Sequence, residues 1–237
     1  MSLLLMALYF TAHANIVKTS PLEVAIGLMR QELTVLHTQS AVMQNQIAAL
    51  QNQITSLVVP HKKIGEEYHG GIIFYVDESG QHCLVTSKFD MSEECIQWRN
   101  GTAGTRVTNA RADGIGAGLT NTRLIIAGQT IYNQKGQFAA LVAANFQVLG
   151  DGVTPCKTPL KNGSICYSGW YLPSAFELQL LQKNLNQRSL SSFAPDFYWS
   201  STEAGVSTAW LQNFSTGELI VSSKSDTLGR VRAIHEF

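Results

Sequence analysis

Cationic side chains are the residues of this chain best placed to do chemistry, and they are segregated. Between positions 95 and 190 stand nine basic residues, Arg99, Arg106, Arg111, Arg123, Lys135, Lys157, Lys161, Lys183 and Arg188, against three acidic ones, Asp113, Asp151 and Glu177. Residues 60–94 reverse the balance with three basic and seven acidic, and the full 237 residues hold 17 of each sign. A local excess of this kind concentrates positive potential without any net charge. It suits oxyanions, which guanidinium forks and ammonium point charges both meet well. The net charge of zero argues against a generic nucleic-acid binder, for which attraction to phosphate needs a basic excess overall. Lys157 and Lys161 follow Cys156 in a short segment closed by Cys166. Arg106, Arg111 and Arg123 accompany Gly114-Ile115-Gly116-Ala117-Gly118, where open backbone N–H groups are expected to add a further place for an anion.

Other chemistries find less support. The chain has no G-x-S-x-G, H-E-x-x-H or P-loop, and His61, His69, His82 and His235 show no triad or metal spacing. Asp and Glu do not cluster as oxygen ligands, so no metal, no cofactor and no enzymatic activity are expected. Trp170, Trp199 and Trp210 are expected in the core rather than stacked on a ligand. Arg230 and Arg232 alternate along one segment and read as structural ion pairs. Cys83, Cys95, Cys156 and Cys166 lie far from any C-x-x-C. Four cysteines allow three pairings, which sequence alone does not separate. The sequential one, Cys83–Cys95 and Cys156–Cys166, is expected because each bond would staple a short, turn-rich loop, and such bonds persist in exported proteins.

The elements that position these residues fall into three parts. Residues 1–14 read as a signal peptide, with the apolar run Leu3–Phe10 followed by Ala12-His13-Ala14. Residues 15–59 form a predicted coiled-coil stalk. From Leu22 to Leu57 apolar positions recur alternately four and three apart. Ile26, Leu33, Ser40, Ile47 and Ile54 stand at a, and Leu22, Met29, Leu36, Met43, Leu50 and Leu57 at d. Ser20, Pro21 and Glu23 spell the helix start, and Pro60 its stop. A seam this narrow calls for partner chains. Ile at a over Leu at d leans toward a dimer, a preference blurred by the methionines and Ser40. No apolar run reaches the ~18 residues of a membrane span.

Residues 60–237 read as an α+β head. A β-hairpin is predicted over residues 72–86, helices over 138–148 and from Ser174 onward, and strands around 198–201, 209–214 and 230–234. Within it, Gly169-Trp170-Tyr171-Leu172-Pro173-Ser174, Glu177-Leu178, Leu181 and Tyr198-Trp199-Ser200-Ser201-Thr202-Glu203 form one signature. Ala209-Trp210, Phe214, Gly217, Lys224 and Val231-Arg232-Ala233 continue it, and Ala112–Gly118 with Asn121-Thr122 belong to the same pattern. This head resembles the C-terminal domain family of the Legionella collagen-like protein (Lcl), over nearly all of residues 65–237. The resemblance implies a compact C-type-lectin-like fold with a mainly antiparallel sheet, carried as a homotrimer on an extended stalk. It also implies a secreted or cell-surface adhesin that binds sulfated polysaccharides. Here a coiled coil stands where those relatives carry a collagen tract. On that resemblance Arg106, Arg111, Arg123, Lys157, Lys161, Lys183 and Arg188 become the expected contacts to sulfated glycan. The alternative is a trimeric head that binds protein or only its own neighbours.

Overall fold

The computed structural model describes residues 20–57, 62–101, 106–160 and 163–237. The predicted signal peptide and Lys161 lie outside them. The chain divides into two units, with the break between Val59 and Pro60.

The first unit contains helix α1, Pro21–Leu57, about 55 Å long at ~1.5 Å per residue. Its start is the capping box read from the sequence. The Glu23 N–H donates to Ser20 Oγ at 3.2 Å, and the Ser20 N–H donates to Glu23 Oε2 at 2.8 Å. Ile26, Met29, Leu33, Leu36, Met43, Ile47, Leu50 and Ile54 are all exposed. Leu57 is the last helical residue. Among the described residues no helix is long and apolar enough to cross a membrane.

The second unit is mixed α+β. Strands β1 (Glu67–Tyr68), β2 (Gly71–Val76) and β3 (Cys83–Thr86) form an antiparallel meander. Helices α2 (Ala117–Thr130) and α3 (Ala139–Ala144) follow, then the short pair β4 (Val148–Leu149) and β5 (Cys166–Tyr167). Helix α4 (Ala175–Leu181) continues into a π-helical turn, Gln182–Asn186. Strands β6 (Phe197–Glu203), β7 (Thr208–Asn213), β8 (Leu219–Ser223), β9 (Gly229–Arg230) and β10 (Ile234–Glu236) complete it. The first sheet has the order β1-β2-β3-β10 and the second β8-β7-β6-β9. The pairing is antiparallel except between β6 and β9.

All four residues of β3 and six of the seven in β6 are buried, so both strands are covered on both faces. One core gathers Ile73, Val85, Trp98, Ile125, Phe138, Trp170 and Trp199; another gathers Phe74, Leu84, Tyr171, Leu178, Leu181, Tyr198 and Phe214. The final segment serves both sheets, β9 pairing with β6 and β10 with β3. Between them Arg232 is buried, donating to the Ser87 and Ser192 carbonyls at 3.0 and 2.8 Å and forming an ion pair with Asp90 at 2.8 Å. Arg230 pairs with Asp196 at 3.0 Å. Both arginines are thus structural.

Helix α4 opens on a second capping box, legible as Ser174-x-x-Glu177. The Glu177 N–H donates to Ser174 Oγ at 3.2 Å, and the Ser174 N–H returns to Glu177 Oε2 at 2.8 Å. The helix expected over 138–148 is shorter. Phe138 is extended at the N-cap, Asn145 ends the helix, and Val148 belongs to β4. Its apolar spacing after Asn145 comes from a turn and a strand. Helix α2, by contrast, was not expected at all. Its buried face is Gly118, Asn121, Thr122, Ile125 and Gln129, a helical period written almost wholly in small and polar residues.

Replacing Ser174 with Ala is expected to lower the unfolding free energy by about 1–2 kcal/mol, as loss of a good N-cap does. The hydroxyl also donates to the Gly114 carbonyl at 2.9 Å, which places the expectation toward the upper end. A urea midpoint that does not move would refute the cap's role.

Candidate functional site

Two buried carboxylates organise the segment that leads into α2. Glu177, wholly buried, accepts from the Gly116 N–H at 2.8 Å, the Gly118 N–H at 3.2 Å and the Tyr171 hydroxyl at 3.3 Å, besides its capping bond. Burial pushes its carboxyl up, while these backbone donors pull the other way. The sequence suggests an open anion site in this glycine-rich stretch; instead the Gly116 and Gly118 N–H groups are taken from within. Its anion is Glu177, supplied from α4. Gly118 fits because a Cβ there would lie 2.7 Å from the Leu172 carbonyl.

Glu203, at the end of β6, is 3% exposed and accepts from the Thr108 N–H at 2.9 Å and the Asn109 N–H at 3.0 Å. The ammonium of Lys224, 1% exposed, pairs with it, donates to the Val206 carbonyl at 2.8 Å and lies 4.7 Å from the Trp98 ring centroid. Burial opposes ionisation of Glu203, but Lys224 and the Thr108 donors outweigh it and hold the carboxyl below its usual range. Arg111 reaches the same carboxylate at 3.7 Å from an exposed position, so part of its charge is neutralised inside the head.

The remaining expected cations are exposed but dispersed. Arg106 lies 4.3 Å from the Tyr132 ring centroid, beyond the C-terminal end of α2, and Arg123 projects from the middle of that helix. Lys157 stands beside the Cys156–Cys166 bond, Lys183 in the π-helical turn and Arg188 just after it. Among the described residues none of these five has a carboxylate within ion-pair distance.

The Cys156–Cys166 bond is present, as expected. Cys83 and Cys95 are unbonded, which corrects the sequential pairing. Cys83 faces the core from β3, whereas the Cys95 sulfur lies 3.8 Å from the Asp196 carboxylate, next to the Ile96–Gly229 bridge at the edge of the other sheet. Burial pushes both thiols up, which favours the protonated form. Trp170 and Trp199 are buried as expected, while Trp210 is half-buried.

A cleft of about 500 Å³ runs along α2 and is lined by Leu119, Arg123, Ile126, Trp170, His235 and Glu236. His235 and Glu236 come from β10, and no motif drew attention to them. His235 stacks on Phe237 with ring centroids 4.1 Å apart and meets Trp170 edge-on at 5.8 Å. Burial lowers its pKa more than the Glu236 and Ser168 carbonyls raise it, so the ring is neutral at pH 7. Among the described residues, no three His, Cys, Asp or Glu side chains converge as metal ligands.

No family model matches the chain, and no curated protein matches it significantly.

Two outcomes are expected. A thiol titration in denaturant without reductant finds two reactive cysteines per chain, and four after reduction; none before reduction would restore the Cys83–Cys95 bond. Replacing Lys224 with Met leaves Glu203 buried without its counter-charge and costs about 3–5 kcal/mol. Because the native Glu203 pKa is depressed, its contribution is complete above the ordinary carboxylate value of about 4.3 and is lost as pH falls through the native pKa. The Glu203→Gln variant accordingly shows a shallower fall in melting temperature between neutral pH and acid.

Proposed function

We propose that this chain is an oligomeric, exported adhesin-like protein with a lectin-like head that binds sulfated polysaccharides. Helix α1 gathers the heads as a homotrimeric coiled coil. The observation that carries the reading is the set of exposed cations without carboxylate partners: Arg106, Arg123, Lys157, Lys183 and Arg188. Arg111 contributes a weaker field, being shared with Glu203. A local excess of cations, in a head that holds fifteen basic and fifteen acidic residues overall, draws a polyanion by attraction and counterion release.

Dispersal of the cations also fits this ligand. A flexible chain bearing many sulfates engages separate point charges in succession, whereas a small ligand needs them convergent. Each contact is weak alone, so presentation of several heads on one stalk raises the effective concentration of the next contact. The eight exposed apolar residues named on α1 support self-association, since one helix cannot cover its own seam. The Cys156–Cys166 bond supports an oxidising compartment. The resemblance of residues 65–237 to the Lcl family supports trimer over dimer and a sulfated glycan over other polyanions.

A second reading has its own observation. Val107, Leu124, Ile131 and Tyr132 are exposed on and beside α2, an apolar surface suited to a protein partner or a neighbouring head. Salt separates the two. Treated as a phosphate-like polyanion, a glycan held by about three cations loses roughly fortyfold in affinity over a fourfold rise in salt. The protein is expected to be retained on immobilised heparin at low salt and to elute earlier when Lys157 and Lys161 are changed to Glu. Removal of residues 20–57 is expected to abolish the trimer mass and weaken retention further. Retention that ignores salt would favour the apolar surface instead.

A further inference from the structure

The cleft along α2 differs from the rest of the basic surface, because it sets one cation against a shaped, half-buried wall. Arg123 stands on its rim without an ion-pair partner among the described residues. Leu119 and Ile126, one turn to either side on the same helix, are half-buried and give an apolar floor. Glu236 supplies a carboxylate, and its Oε2 would lie 3.9 Å from a Cβ on Gly116, toward the N-terminal end of α2. The cleft therefore carries separated positive and negative features along the helix.

Most other polar atoms around it are already committed. The Thr122 hydroxyl accepts from the Leu172 N–H at 3.0 Å, the Trp170 indole donates to the Tyr167 carbonyl at 3.2 Å, and the Tyr171 hydroxyl is bonded to Glu177. The Nδ1 edge of His235 faces the Glu236 carbonyl at 2.6 Å. The Ser168 carbonyl also acts on the ring, and Gly169, at φ 84°, packs against its other edge: a Cβ there would sit 3.2 Å from His235 Nε2. What remains for a ligand is a guanidinium, a carboxylate and an apolar floor. A sugar ring offers the matching set, with a sulfate ester for the guanidinium, hydroxyls that donate to the carboxylate and a C–H face for the floor. A volume of about 500 Å³ holds one such unit with part of its neighbour.

We propose that this cleft, with Arg123 and Glu236 set apart along α2, is the subsite that seats one sulfated sugar unit of the polysaccharide, sulfate toward Arg123. The proposal rests on the polysaccharide reading above. The carboxylate gives it direction: a ligand turned end for end would bring its sulfate against Glu236. The dispersed lysines supply attraction, and the cleft supplies selectivity.

The test uses the full chain, titrated calorimetrically with a sulfated heparin disaccharide and with its unsulfated counterpart. Retention on heparin is measured in parallel. The wild-type chain is expected to bind the sulfated disaccharide more tightly than the unsulfated one. Arg123→Gln removes the charge-assisted contact and weakens binding about tenfold or more. Ala144, at the end of α3, also lines the cleft; Ala144→Leu fills it without altering charge and weakens binding comparably, each variant keeping the wild-type melting temperature. If the chain is retained on heparin but both variants bind the disaccharide as the wild type does, the subsite is overturned and the polysaccharide reading stands. The subsite is likewise overturned if Arg123→Gln weakens binding and a folded Ala144→Leu does not, because Arg123 then acts only as surface charge. If the wild-type chain is not retained at low salt, the polysaccharide reading fails, and the subsite with it.

Discussion

A buried carboxylate must find donors, and in this head that requirement is met by the backbone of the segment from Thr108 to Gly118. Glu203 takes the N–H groups at its beginning, and Glu177 takes those at its end. A segment rich in glycine has little of its own to hold it, and without these bonds it would pay a large conformational cost to be ordered. With both ends tied, helix α2 leaves Gly116 in a defined direction. Arg123 projects from that helix, and the cleft lies along it. The chemistry of the surface is thus downstream of two acids that never reach the surface.

The two acids are anchored differently. Glu177 is neutralised by dipoles alone, three backbone N–H groups and a tyrosine hydroxyl, whereas Glu203 also has a buried ammonium. The first arrangement belongs to a helix N-terminus, where aligned N–H groups favour negative charge. The second is an ion pair closed off from water, whose desolvation is offset only because the remaining lone pairs find backbone donors. Each therefore depends on the local backbone path, and each in turn enforces it. Together they join α4 and β6 to the same segment from opposite ends.

What could be read in the sequence were the features encoded within a few residues. Both capping boxes are local spacings of Ser and Glu, and both are found where expected. The hairpin and the strands around Trp199 and Trp210 are local too. Helix α2 escaped because it packs Gly118, Asn121, Thr122 and Gln129 inward, so hydrophobic periodicity has nothing to register. Its Asn121 amide donates to Ala112 and Ser201, bonds that no pattern within the helix announces. Cys83 and Cys95 misled for the complementary reason: near in sequence, one lies in the first sheet and the other beside the edge of the second. The acid that would fill the glycine stretch was visible as Glu177 in its capping box. Its second role depends on a residue some sixty positions away, and only the tertiary fold brings the two together.

The last strands also set the order in which this molecule can assemble during synthesis. Strand β10 closes the sheet begun by β2 and β3, and β9 joins the sheet centred on β6, so neither sheet is complete until residues 229–236 have left the ribosome. Contacts that span the head from one end to the other are slow to form and leave earlier strands waiting with open edges. Helix α1 needs nothing from downstream, because its turns are closed by local bonds. The helical unit can therefore form early, while both sheets of the head must wait for their last strands.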